Sequence, residues 1–101
     1  MDKIRVLIVD DHNVVRDGLK TLIETRTTDI EVVGTAVNGQ EALDVVEKIQ
    51  PDLVLMDLRL PQLNGVEATR LIRQNYPKIK VLILTSYDEE KFVVEGMQAG
   101  A

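Results

Sequence analysis

Four short apolar runs, three of them closed by polar residues, alternate along this chain with stretches whose apolar residues recur at helical spacing. Ile4-Arg5-Val6-Leu7-Ile8-Val9 is rich in β-branched residues and ends in Asp10-Asp11-His12. Val15, Leu19, Leu22 and Ile23 then mark one face of a helix over about residues 13–26. Ile30 to Val37 reads as a second strand whose mixed polarity suits a sheet edge, and Asn38-Gly39 turns the chain. Ala42, Val46 and Ile49 stripe a second helix, stopped at Gln50-Pro51 because proline cannot continue it.

Leu53-Val54-Leu55-Met56-Asp57 is the third strand, apolar until its last residue. A run of this kind is expected where both faces of a parallel sheet are covered by helices, with Asp57 placed where the strand emerges. Pro61 and Asn64-Gly65 mark an irregular loop, and Gly65 is expected to supply a backbone conformation closed to other residues. A helix from about Val66 to Asn75 offers Val66, Leu71 and Ile72 for packing and closes at Tyr76-Pro77. Lys80-Val81-Leu82-Ile83-Leu84 is the fourth strand, ending at Thr85-Ser86. Asp88-Glu89-Glu90 suits the positive end of a fourth helix, with Phe92, Val93, Gly96 and Met97 inside and Gly100 as its stop.

Strands alternating with helices imply parallel pairing through right-handed crossovers, an α/β fold. The alternation stops after a helix, where one more strand is expected. The sequence therefore reads as a fragment, or as a sheet completed by another copy of the chain.

Composition narrows the function. The 101 residues suit one domain, and 12 basic against 17 acidic side chains give a net charge of −5. That balance disfavours a nucleic-acid surface, which needs clustered Lys and Arg. The absence of cysteine excludes disulfides, thiolate zinc sites and Cys nucleophiles. No apolar run approaches the roughly 18 residues of a membrane span, so a cytoplasmic location is expected.

In a parallel sheet all C-terminal strand tips share one edge, so Asp10, Asp11, Asp57 and Thr85 are expected together. If the first and third strands are neighbours, the ligand crevice of a doubly wound sheet lies between Asp11 and Asp57. Carboxylates crowded there repel one another unless a cation joins them, and an all-oxygen site suits Mg²⁺ better than zinc. Asp57 could then attack a phosphoryl group as a carboxylate nucleophile, with the Thr85 hydroxyl bonding the product. His12 has no partner His or Cys at ligand spacing and reads as a loop residue.

These residues are also those of the receiver domain of two-component response regulators, which the chain resembles along its whole length. The matching features are Val9-Asp10-Asp11, Met56-Asp57-Leu58-Arg59-Leu60-Pro61 with Asn64-Gly65, and Leu84-Thr85-Ser86. The resemblance implies a flavodoxin-like (CheY-like) sheet of order 2-1-3-4-5, with the fifth strand and helix beyond this chain. It implies Asp57 as the residue phosphorylated by a sensor histidine kinase, and Thr85 as the switch hydroxyl. Mg²⁺ would be held by Asp11, Asp57 and the main-chain carbonyl of Arg59, with Asp10 acting through a water. The family's fifth-strand lysine lies past Ala101. Asp11-His12 and Asp29-Ile30-Glu31-Val32-Val33-Gly34 look most like the subfamily coupled to a LuxR-type helix-turn-helix, so DNA would be contacted only through that further domain. A second copy of the chain is a further candidate partner.

Three other functions fit these residues less well. A phosphatase of the haloacid dehalogenase type needs a second Asp two residues after the first, where this chain has Arg59. A nucleotide or flavin binder wants Gly, Ser and Thr after the first strand, where Asp10-Asp11 would repel phosphate. A pseudo-receiver acting only by protein contacts has no need of the acidic group.

Overall fold

A computed structural model of the chain describes residues 3–57, 64–84 and 98–100. The described elements are β1 (Ile4–Val9), α1 (Asn13–Arg26), β2 (Ile30–Ala36), α2 (Gly39–Ile49), β3 (Leu53–Asp57), α3 (Gly65–Asn75) and β4 (Lys80–Leu84). The four strands form one parallel sheet of order β2-β1-β3-β4, so the chain winds outward in both directions from the β1–β3 pair. This is the CheY-like arrangement that the resemblance implied, with β2 at an edge. The expected fourth helix, Thr85 and Arg59 lie outside the described residues.

Alternate residues of each strand serve opposite faces of the sheet, because side chains along a strand point alternately up and down. Leu7, Val9, Val54, Met56 and Val81 face Ala42 and Val46 of α2 and Val66, Ala68 and Ile72 of α3, forming the larger core. Val6, Ile8 and Leu55 form a smaller core on the other face, against Leu19 and Ile23 of α1. Among the described residues, that second face is thinly covered. No residue of α1 is buried, and Val15 and Leu22 of its apolar stripe are 43% and 52% exposed.

Asn38 and Asn64, read from the sequence as turn residues, are helix N-caps. Their side-chain oxygens accept the Glu41 and Glu67 backbone N–H groups at 2.8 and 2.9 Å, satisfying one orphan donor in each first turn. Glu41 and Glu67 also place negative charge at the positive helix ends. Gly65 is accordingly the first residue of α3 and has no positive φ, contrary to the expectation for it; helical backbone is open to any residue. Positive φ occurs instead at Gly100, with φ 114°, and at Gln50, with φ 49°, which ends α2 just before Pro51.

The β1–β2 pairing carries a bulge. Val6 pairs with Val32 but Leu7 with Gly34, leaving Val33 as the extra residue. A Cβ at Gly34 would stand 3.3 Å from Val45 Cγ1, so the missing side chain lets α2 close onto the sheet. At the N-terminal edge of the sheet Asp52 ties three strands. Its carboxylate accepts the Arg5 N–H at 2.9 Å, its own N–H donates to Arg5 O, and its carbonyl accepts the Lys80 N–H. The Arg5 guanidinium donates to Ile49 O and Gln50 O at the C-terminus of α2, where cations are favoured. Among the described residues, no helix is long and apolar enough to cross a membrane.

Candidate functional site: an acidic group at the C-terminal sheet edge

Val9 pairs with Met56 across the β1–β3 ladder, so the residues following them emerge side by side. Asp10 continues the β1–β2 ladder by one bond, donating its N–H to Ala36 O at 3.0 Å, and is only 5% exposed. Asp57 is the last residue of β3, paired in register with Leu84 and half-buried. Asp11 is exposed on the turn beyond β1. One side-chain ligand atom from each of Asp10, Asp11, His12 and Asp57 lies within 4.8 Å of all the others. The expected meeting of Asp10, Asp11 and Asp57 is thus observed. Thr85 and Arg59 fall outside the described residues.

His12, read from the sequence as a loop residue rather than a phosphoryl carrier or metal ligand, joins this group. It occupies the N-cap position of α1 with extended backbone, but its side chain makes no capping bond. Its own N–H donates to Asp10 Oδ1 at 2.8 Å, and its ring Nδ1 stands 2.9 Å from that oxygen and 3.0 Å from Asp11 Oδ1. The side-chain bond to Asp10 raises the imidazole pKa above 6.5, and the negative charges of Asp11, Asp10 and Asp57 add to the effect. The signal available in the sequence was adjacency. A residue two positions after a strand-end Asp can close a local turn onto that carboxylate.

Arg16 secures the turn rather than neutralising the carboxylates. Its guanidinium donates to the main-chain oxygen of Asp10 at 2.7 Å and to the Asn13 side chain. The group is a set of carboxylate oxygens gathered close together, with the His12 imidazole beside them. Carboxylates gathered this closely suit a hard divalent cation, which relieves their mutual repulsion. The donor chemistry fits Mg²⁺.

Residues 6–101 match the family model of the response regulator receiver domain. The chain is 46% identical over 97 residues to the uncharacterized transcriptional regulatory protein YhcZ of Bacillus subtilis (strain 168), covering 96% of this chain and 45% of that protein. It is 47% identical over 97 residues to the response regulator protein VraR of Staphylococcus aureus (strain Mu3 / ATCC 700698), covering 96% of this chain and 46% of that protein. The chain thus spans less than half the length of these curated relatives. Among solved structures, a two-component response regulator of the LuxR family from Aurantimonas sp. SI85-9A1 superposes with a TM-score of 0.90 at 40% identity, over 99% of this chain and 71% of that one.

Proposed function

Since this chain belongs to the response regulator receiver domain family, we propose that it is the phosphoacceptor switch of a two-component system and that Asp57 takes the phosphoryl group. The observation that carries this reading is the convergence of Asp10, Asp11 and Asp57 from two strand ends to within 4.8 Å. Lone strand-end aspartates are ordinary turn residues, whereas three held around one point are costly without a cation to share.

In this reading Asp11 and Asp57 hold Mg²⁺ with the main-chain carbonyl of Arg59, and Asp10 acts through a water. When bound, Mg²⁺ supplies positive charge that offsets the negative charge of the incoming phosphoryl group. A carboxylate oxygen of Asp57 attacks the phosphorus of a kinase phosphohistidine. The new O–P bond forms as the P–N bond breaks, and the freed imidazole takes up a proton. Asp57 is half-buried at its strand tip on the shared edge. The Thr85 hydroxyl then hydrogen-bonds a phosphoryl oxygen, so added charge and three acceptors reshape the surface around it.

The chemistry belonging to residues 1–101 is limited to accepting and losing this group; the domain is regulatory. Its setting is cytoplasmic, and its partners are a sensor histidine kinase and, in the parent protein, DNA contacted through a separate helix-turn-helix domain. Relatives named as transcriptional regulators support that output.

Intact-mass measurement after incubation with Mg²⁺ and a small phosphodonor such as acetyl phosphate tests the assignment. The expected result is a gain of one phosphoryl group, abolished by chelation and by Asp57→Asn. An unaltered yield in Asp57→Asn would refute it.

A further inference from the structure

We propose that His12 is an additional ligand of the divalent-cation site, engaged by late first-row metals and not by Mg²⁺. The proposal rests on the reading that Asp11 and Asp57 hold a divalent cation with Asp10 acting through a water, and it adds metal selectivity to that site.

The geometry is that of ligands sharing an ion. His12 Nδ1 lies 2.9 Å from Asp10 Oδ1 and 3.0 Å from Asp11 Oδ1. Adjacent ligands around an octahedral ion with bonds of about 2.1 Å stand about 3.0 Å apart, and opposite ones about 4.2 Å. All four ligand atoms, including that of Asp57, fall within 4.8 Å of one another. The ligand atoms of Asp11, His12 and Asp57 are therefore close enough together to be gathered on one ion.

The backbone delivers the ring to this position. The His12 N–H is fixed to Asp10 Oδ1 at 2.8 Å, and the His12 carbonyl accepts the Arg16 N–H at 3.0 Å as α1 begins. The side chain itself is 67% exposed, which leaves room for its remaining proton on Nε2 to face water. Arg16 is held by the Asp10 main-chain oxygen and the Asn13 side chain, and does not compete for the carboxylates.

Donor chemistry sets the selectivity. Imidazole suits Ni²⁺, Cu²⁺ and Zn²⁺, whereas Mg²⁺ prefers oxygen and retains water in its shell. Against Mg²⁺ the ring has little to contribute. Against Ni²⁺ it supplies a nitrogen ligand that a purely acidic site lacks. The same distances also describe an Nδ1–H that merely clamps two carboxylates. Under that alternative, removing the ring would change the affinity for both ions by one common factor.

Titration calorimetry of the metal-free chain with Mg²⁺ and with Ni²⁺, in an alkaline buffer that keeps the ring neutral, separates these cases. For His12→Ala we expect Ni²⁺ affinity to fall on the order of tenfold or more while Mg²⁺ affinity moves less than about threefold. The chain has a single histidine, so Co²⁺ binding should also shift one set of imidazole NMR resonances strongly. Equal changes for both ions, or none, would overturn the proposal while leaving Mg²⁺ binding at Asp57 intact. Mg²⁺ affinity unchanged by Asp57→Asn would instead overturn the reading beneath it, and this proposal with it.

Discussion

Asp10 Oδ1 accepts from both the backbone and the ring of His12, and that one oxygen explains why a loop histidine points inward to the acidic group. The consequence is measurable because His12 is the only histidine in the chain. With its folded pKa raised above 6.5, the charged ring contributes stability that is fully present below about pH 6.5 and is lost as pH rises through the raised value. An NMR pH titration of the metal-free protein should therefore place the midpoint above 6.5. Asp10→Asn should bring the midpoint down, because it removes the hydrogen-bonded charge that is the largest cause. A midpoint at or below 6.5 in the unaltered protein would contradict the contact. At this scale the sequence was informative about Asp10, Asp11 and Asp57, since polar residues ending apolar runs are conspicuous. It placed His12 only as a loop residue, because the partners of the ring come from the path of the turn.

At the scale of elements, the helices are fastened at their ends by local chemistry. Asn38 and Asn64 each satisfy an N–H three residues on, so Asn38→Ala and Asn64→Ala should each cost about 1 kcal/mol. Gln50 holds left-handed backbone at the end of α2, a conformation that costs a residue with a Cβ about 1 kcal/mol or more. Gln50→Gly should relieve that strain, set against the greater freedom of glycine in the unfolded chain, for a net gain of a few tenths of a kcal/mol. Chemical denaturation midpoints of the three variants check both signs. Element boundaries were legible to within a residue because they depend on near neighbours. The second strand ends at Ala36, not Val37, and the third helix starts at Gly65, not Val66. Asn64-Gly65 departs from the expectation for it because the same asparagine that favours turns also caps helices, and the following sequence decides which.

At the scale of the whole molecule, the described residues give the sheet one deeply and one shallowly packed face. Ile72 of α3 is fully buried against the larger core, whereas Leu22 of α1 is 52% exposed. Both occupy apolar positions of an amphipathic helix, and periodicity ranks them alike. Ile72→Ala should destabilise the fold by about 2–5 kcal/mol, and Leu22→Ala by less than about 1 kcal/mol. Comparable losses at the two positions, read from urea unfolding, would contradict the asymmetry. The acidic edge depends on the same architecture. Parallel pairing brings Asp10 and Asp57 out beside each other, and the ladder bond from Asp10 N–H to Ala36 O holds Asp10 close to the sheet.

The chain's local pattern was sufficient for strand and helix order, for the α/β class and for the three aspartates, because hydrophobic period and strand-end polarity act over a few residues. Family likeness supplied the strand order, which periodicity leaves open. Only the folded arrangement decided the bulge at Val33, the shallow packing of α1 and the presence of His12 among the carboxylates. Each of those depends on contacts between segments distant in sequence or on the path of a turn. A one-dimensional pattern of apolar and polar positions carries no record of which surfaces are covered or which polar atoms are drawn together.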